Sequence, residues 1–122
     1  MSKVLIVDDA KFMRMTLSNL FKKHQLEVVG LAENGEEGTA RYKKTAPDIV
    51  TLDITMPIMD GLTALKEIIA YDHAANIVMC SAMGQQKLAV EAIEFGAKDF
   101  IIKPFDEARV MGTVNRILQT SS

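Results

Sequence analysis

The chain has one cysteine, three prolines and no excess of positive charge, with 14 Lys and Arg against 16 Asp and Glu and a formal net charge of −2. A lone Cys80 excludes an intramolecular disulfide, and its place in the apolar run Ile77-Val78-Met79-Cys80 predicts a small buried core thiol. The missing basic surface argues against nucleic-acid binding. Only four apolar residues, Val4 to Val7, precede the first acids, too few for a signal peptide, and no run is long enough to span a bilayer. A soluble, cytoplasmic protein is therefore expected, with neither membrane nor nucleic acid among its partners. There is no G-x-x-x-x-G-K-[ST] phosphate loop, and Asp8-Asp9-Ala10 stands where a dinucleotide fold has its glycine-rich turn.

What is present suits one domain. The 122 residues are 48% hydrophobic and 25% charged, enough for a single core, and residues 1–122 are expected to form one domain without an output module. Short, mostly β-branched runs begin near Val4, Val28, Ile49, Ile77 and Phe100. Helical stripes lie between and after them, as in Met13, Leu17, Leu20 and Phe21 and again in Val110, Val114, Ile117 and Leu118. Asn34 with Glu37 resembles a capping box, Asp60 and Asp106 suit helix N-caps, and Pro47 and Gly96 punctuate helix ends. The pattern predicts an α/β fold, (βα)5, with a doubly wound five-stranded parallel sheet. The most economical strand order, adopted by analogy with flavodoxin-like sheets, is 2-1-3-4-5.

Four of the apolar runs finish in chemistry-bearing residues: Asp8-Asp9, Asp53, Ser81 and Lys103. Singly, each could be a cap, a turn residue or a surface lysine. Together they fall at C-terminal strand ends, the edge where open α/β sheets place their ligands. Three crowded carboxylates require a cation, and Mg²⁺ suits them because it takes a few carboxylates and keeps waters. Asp53 is then the candidate nucleophile for a phosphoryl group, with Lys103 and Ser81 as its contacts. Asp53-Ile54-Thr55 lacks the second acid of a haloacid-dehalogenase-like phosphatase.

Asp8-Asp9, the stretch Leu52-Asp53-Ile54-Thr55-Met56-Pro57-Ile58-Met59-Asp60-Gly61, Ser81-Ala82 and Lys103-Pro104-Phe105 together resemble the two-component receiver domains. Within them, Phe12-Met13-Arg14-Met15 and Ser81-Ala82-Met83-Gly84-Gln85-Gln86 are most similar to the single-domain chemotaxis regulators. The resemblance implies that Asp53 accepts phosphate from a chemotaxis histidine kinase and that Asp8, Asp9, Asp53 and the Thr55 backbone carbonyl bind Mg²⁺. It also implies that Ser81 and Lys103 contact the phosphoryl group, that Ser81 and Phe100 form the switch, and that the bond before Pro104 is cis. Phe100 and Ser81 stand where the family often has Tyr and Thr. The fourth helix is implied in switching, although Ala89, Ala92 and Ile93 there could equally be core, and the methionines, including Met15 and Met83, read as core filling. The expected function is a monomeric phosphoacceptor, not an enzyme, that signals to the flagellar motor switch and is reset by a phosphatase. A phosphorelay intermediate passing phosphate to a histidine phosphotransfer protein, and a Mg²⁺-dependent phosphohydrolase, are the alternatives.

Overall fold

The computed structural model describes residues 1–120. Strands β1 (Lys3–Val7), β2 (Glu27–Ala32), β3 (Ile49–Asp53), β4 (Ile77–Ala82) and β5 (Asp99–Lys103) alternate with helices α1 (Lys11–Lys23), α2 (Gly35–Thr45), α3 (Gly61–Tyr71), α4 (Gln86–Glu94) and α5 (Glu107–Thr120). All pairings are parallel and the order is β2-β1-β3-β4-β5, so the predicted doubly wound sheet is the observed one.

Alternation along the strands divides the core in two. Leu5, Val7, Val50, Leu52, Ile77 and Met79 join one cluster with Ala64, Leu65 and Ile68 of α3 and Ala89 and Ala92 of α4. Val4, Ile6, Ile49, Val78 and Ile101 join the other, beneath Leu17 and Phe21 of α1 and Val110, Val114 and Ile117 of α5. A strand buried on both faces has no polar side to show, which is why these runs are continuously apolar. Cys80 lies in this interior, and burial pushes its thiol up to about 12, consistent with an inert core residue.

The starts of α2, α3 and α5 are chemically marked. Asn34 Oδ1 accepts from the Glu37 N–H at 2.9 Å, Asp60 Oδ1 from the Thr63 N–H at 2.8 Å, and Asp106 Oδ1 from the Arg109 N–H at 2.7 Å. The capping box is one-armed, because the Glu37 carboxylate turns outward to Arg41 at 3.5 Å. Two side-chain expectations require correction. Met15 and Met83 are exposed, since Met15 lies off the Leu17–Phe21 stripe and Met83 sits in the turn after β4. Ile93 is also substantially exposed, whereas Ala89 and Ala92, three apart on the inner face of α4, are fully buried.

Thr51, near the middle of β3, is buried with no hydrogen-bond partner for Oγ1 among the described residues. Thr51→Val keeps the shape and removes an unsatisfied hydroxyl, so it is expected to raise unfolding free energy by about 1 kcal/mol. Urea denaturation followed by circular dichroism measures this, and a loss of stability would show that the hydroxyl is satisfied.

Candidate functional site

Strand order places the ends of β1 and β3 side by side, at the point where the connections diverge to the two faces. Asp8, Asp9 and Asp53 meet there, with one carboxylate oxygen from each lying within 4.8 Å of the others. Asp8 and Asp53 are buried and Asp9 is exposed, so the cluster has a closed floor and an open side. From the end of β5, the Lys103 ammonium reaches Asp8 Oδ2 at 2.9 Å and Asp53 Oδ1 at 3.4 Å. The Lys103–Pro104 bond is cis. Ser81 lies buried one residue before the end of β4, the strand between β3 and β5.

Asp8 is held from several directions. Its Oδ1 accepts from the Ala10 N–H at 2.9 Å, its own N–H donates to the Ala32 carbonyl, and its carbonyl accepts from Arg14 Nη1 at 2.8 Å. The Arg14 guanidinium also reaches Glu33 Oε1 at 3.3 Å, tying α1 to the end of β2. Arg14 had no role in the sequence expectations. Its position one turn into α1, with side chains tilted back toward the helix N-terminus, is the signal that could have suggested one.

The electrostatics follow from this crowding. Burial, then the charge of Asp8, pushes Asp53 up to about 6, with Lys103 pulling the other way and Asp9 adding to the rise. Burial opposes the Lys103 charge, but the hydrogen bond to Asp8 and the fields of Asp53 and Asp8 prevail and raise its pKa. Two more carboxylates than ammonium groups meet here, and all three acids offer hard oxygen donors. The donor set fits a small divalent cation with room for further oxygen ligands.

Phe100 is half-buried and packs against the core cluster that α3 and α4 cover. Thr55, two residues past Asp53, is exposed and its hydroxyl accepts from Gln85 Nε2 at 2.6 Å. The sequence pattern gives Gln85 no role, because nothing in local sequence indicates a contact thirty residues away. A cleft of about 480 Å³, lined by Tyr42, Lys43, Ala46, Pro47, Tyr71 and Asp72, lies away from the acid cluster and shares no residue with it. No helix among the described residues is long and apolar enough to cross a membrane.

Known proteins resemble the chain over almost its whole length. The chain is 55% identical to the chemotaxis protein CheY of Bacillus subtilis, with 95% of this chain and 97% of the relative covered. It is also 55% identical to the chemotaxis protein CheY of Thermotoga maritima, covering 94% and 96%. Its fold superposes on a chain in the crystal structure of the CheX-CheY-BeF3-Mg complex from Borrelia burgdorferi, with a TM-score of 0.91, 42% identity, and 95% and 88% covered. The family model for the response regulator receiver domain matches residues 4–115. An acid cluster at a sheet's switch point, a lysine reaching it from the last strand, and a family match of this extent lead to one conclusion: the chain belongs to the response regulator receiver domain family.

Proposed function

We propose that the chain is a phosphorylation-driven chemotaxis switch in which Asp53 takes a phosphoryl group from the phosphohistidine of a kinase. The observation that carries this reading is the meeting of Asp8, Asp53 and Lys103 at one buried point, with Asp9 at its open side. The 55% identical relatives supply the chemotaxis context.

Asp8, Asp9, Asp53 and the Thr55 backbone carbonyl would hold Mg²⁺, which when bound neutralises the carboxylates and balances charge on the phosphoryl oxygens. Asp53 has its basic form available above about pH 6. An Asp53 carboxylate oxygen attacks phosphorus, the P–N bond breaks, and its electron pair stays on the departing imidazole nitrogen. The product is an aspartyl acyl phosphate. Lys103 places its charge against the transferred oxygens, and Ser81 offers its hydroxyl as a donor. Ser81 and Phe100 then report the event, the hydroxyl moving toward phosphate and the aromatic ring turning inward. The phosphorylated monomer engages the flagellar motor switch, and a phosphatase resets it. A relative's presence in a complex with CheX supports regulation through a partner protein.

The test is phosphotransfer from a phosphorylated chemotaxis kinase, followed by binding to a peptide from the motor switch. One equivalent of phosphate on Asp53 and phosphate-enhanced binding of the peptide are expected. Net onward transfer to a histidine phosphotransfer domain would make the chain a relay intermediate. Turnover far beyond one equivalent without a kinase would make it a phosphohydrolase.

A further inference from the structure

We infer that Gln85 is a positioning residue, a latch that holds the end of β4 in its unphosphorylated place and sets how tightly the site takes a phosphoryl group. The inference rests on the phosphoacceptor function proposed above.

Gln85 grips the loop after β3 and the end of β4 at once. Its Oε1 accepts from the Ala82 N–H at 2.7 Å, and its Nε2 donates to Thr55 Oγ1 at 2.6 Å. Its own backbone N–H donates to the Ala82 carbonyl at 3.2 Å, so Ala82 is held at both ends. Thr55 lies two residues past Asp53, and Ala82 shares a peptide bond with Ser81. The carboxamide therefore bridges the loop that follows the phosphoacceptor and the end of the strand that carries the reporting hydroxyl.

Gln85 is also the N-cap residue of α4, yet its side chain caps nothing there. Ser, Thr, Asp or Asn would satisfy the orphan N–H groups of that helix. The side chain is directed to the site instead of its own helix, so it contributes to the loop bridge and not to helix stability.

The direction of the effect follows from the covalent link. A Ser81 hydroxyl drawn toward a phosphoryl oxygen carries the Ser81–Ala82 peptide with it and takes the Ala82 N–H away from Oε1. Both arms of the latch belong to the resting arrangement, and a contact made only in that arrangement opposes the transition. Its loss frees the residue that begins α4, linking the acid site to the helix that carries the exposed side chains Val90 and Ile93.

Beryllofluoride serves as the probe, titrated in the presence of Mg²⁺ and followed by NMR. Gln85→Ala is expected to tighten beryllofluoride binding by about three- to tenfold, the worth of one to two exposed hydrogen bonds. Mg²⁺ binding without beryllofluoride should stay unaltered, which separates a latch from general loosening of the fold. Thr55→Val, which removes one arm, should tighten binding by less, and the double variant should match Gln85→Ala because both changes break the same bridge. Unchanged or weaker beryllofluoride binding in Gln85→Ala, or additive effects in the double variant, overturns the latch. Wild-type protein that binds Mg²⁺ but no beryllofluoride would overturn the phosphoacceptor function itself, a distinguishable failure.

Discussion

Asp53→Asn is expected to abolish phosphoryl acceptance and, at the same time, to make the fold more stable at pH 7 by on the order of 1–2 kcal/mol. The first effect is chemical, because an amide oxygen cannot act as the attacking carboxylate. The second follows from the raised pKa of Asp53, about 6 against an ordinary 3.8. Between those values the folded state binds more protons than the unfolded chain, so folding stability falls as pH rises through that window. At pH 7 the carboxylate is ionised against burial and against Asp8, which costs about 3 kcal/mol for a shift of about two pKa units. Solvent at the open side of the cluster screens part of this, hence the smaller expected gain. Asparagine keeps an acceptor for Lys103 and removes the repulsion. Denaturation at pH 7.5 and pH 4 checks the sign: the advantage of Asn should be full at the higher pH and nearly gone at the lower. An advantage that is equal at both would mean that ionisation of Asp53 is not its source. Mg²⁺ affinity of the wild type should rise over the same window, since the ligand must lose its proton.

Gly61→Ala is expected to cost about 3 kcal/mol or more and to displace the nucleophile. A Cβ on Gly61 would lie 2.1 Å from the Asp53 carbonyl oxygen and 2.8 Å from Ile54 Cα, both backbone atoms that no side-chain rotation can clear. The Gly61 N–H donates to the Ile54 carbonyl at 2.7 Å, so the start of α3 rests directly on the end of β3. Relief requires the loop to move, and overpacking of this severity falls at the upper end of single-substitution effects. Asp53 ends β3 immediately before that loop, with its own carbonyl oxygen in the clash, and a displacement approaching 1 Å reduces phosphoryl transfer by about 10²-fold. Gly112→Ala provides the contrast. Its Cβ would meet nothing within 4 Å, in the middle of α5, so the change should stabilise by about 0.5–1 kcal/mol through helix propensity. Paired denaturation and phosphotransfer measurements test both, and a Gly61→Ala protein as stable and active as the wild type would refute the packing account.

The strand and helix order was legible because its signals are local. A five-residue β-branched run bounded by polar residues, or an Asp three residues before the N–H it caps, depends on neighbours in the chain. The convergence of Asp8, Asp9 and Asp53 was legible only after a sheet order had been adopted by analogy, since it depends on which strands are adjacent. Individual exposure was less legible. Met15 and Ile93 belong to amphipathic helices, and a shift of one position around a helix moves a side chain from core to water. Gln85 was illegible as a participant, because its bridge depends on the placement of a loop far from it in the chain, whereas Arg14 left only the faint signal of its place in the first turn of α1.

The sequence alone determined the alternation of strands and helices, the capped helix starts and the residue types at the strand ends. These are short-range consequences of periodicity and side-chain chemistry. Only the tertiary structure decided that Lys103 would span from the last strand to Asp8 of the first, that Asp53 would be buried deeply enough to resist ionisation, and that Gln85 would tie Thr55 to Ala82. Each of these depends on groups far apart in the chain being brought within a few ångströms, where burial and proximity give charges and hydrogen bonds a strength that no local pattern encodes.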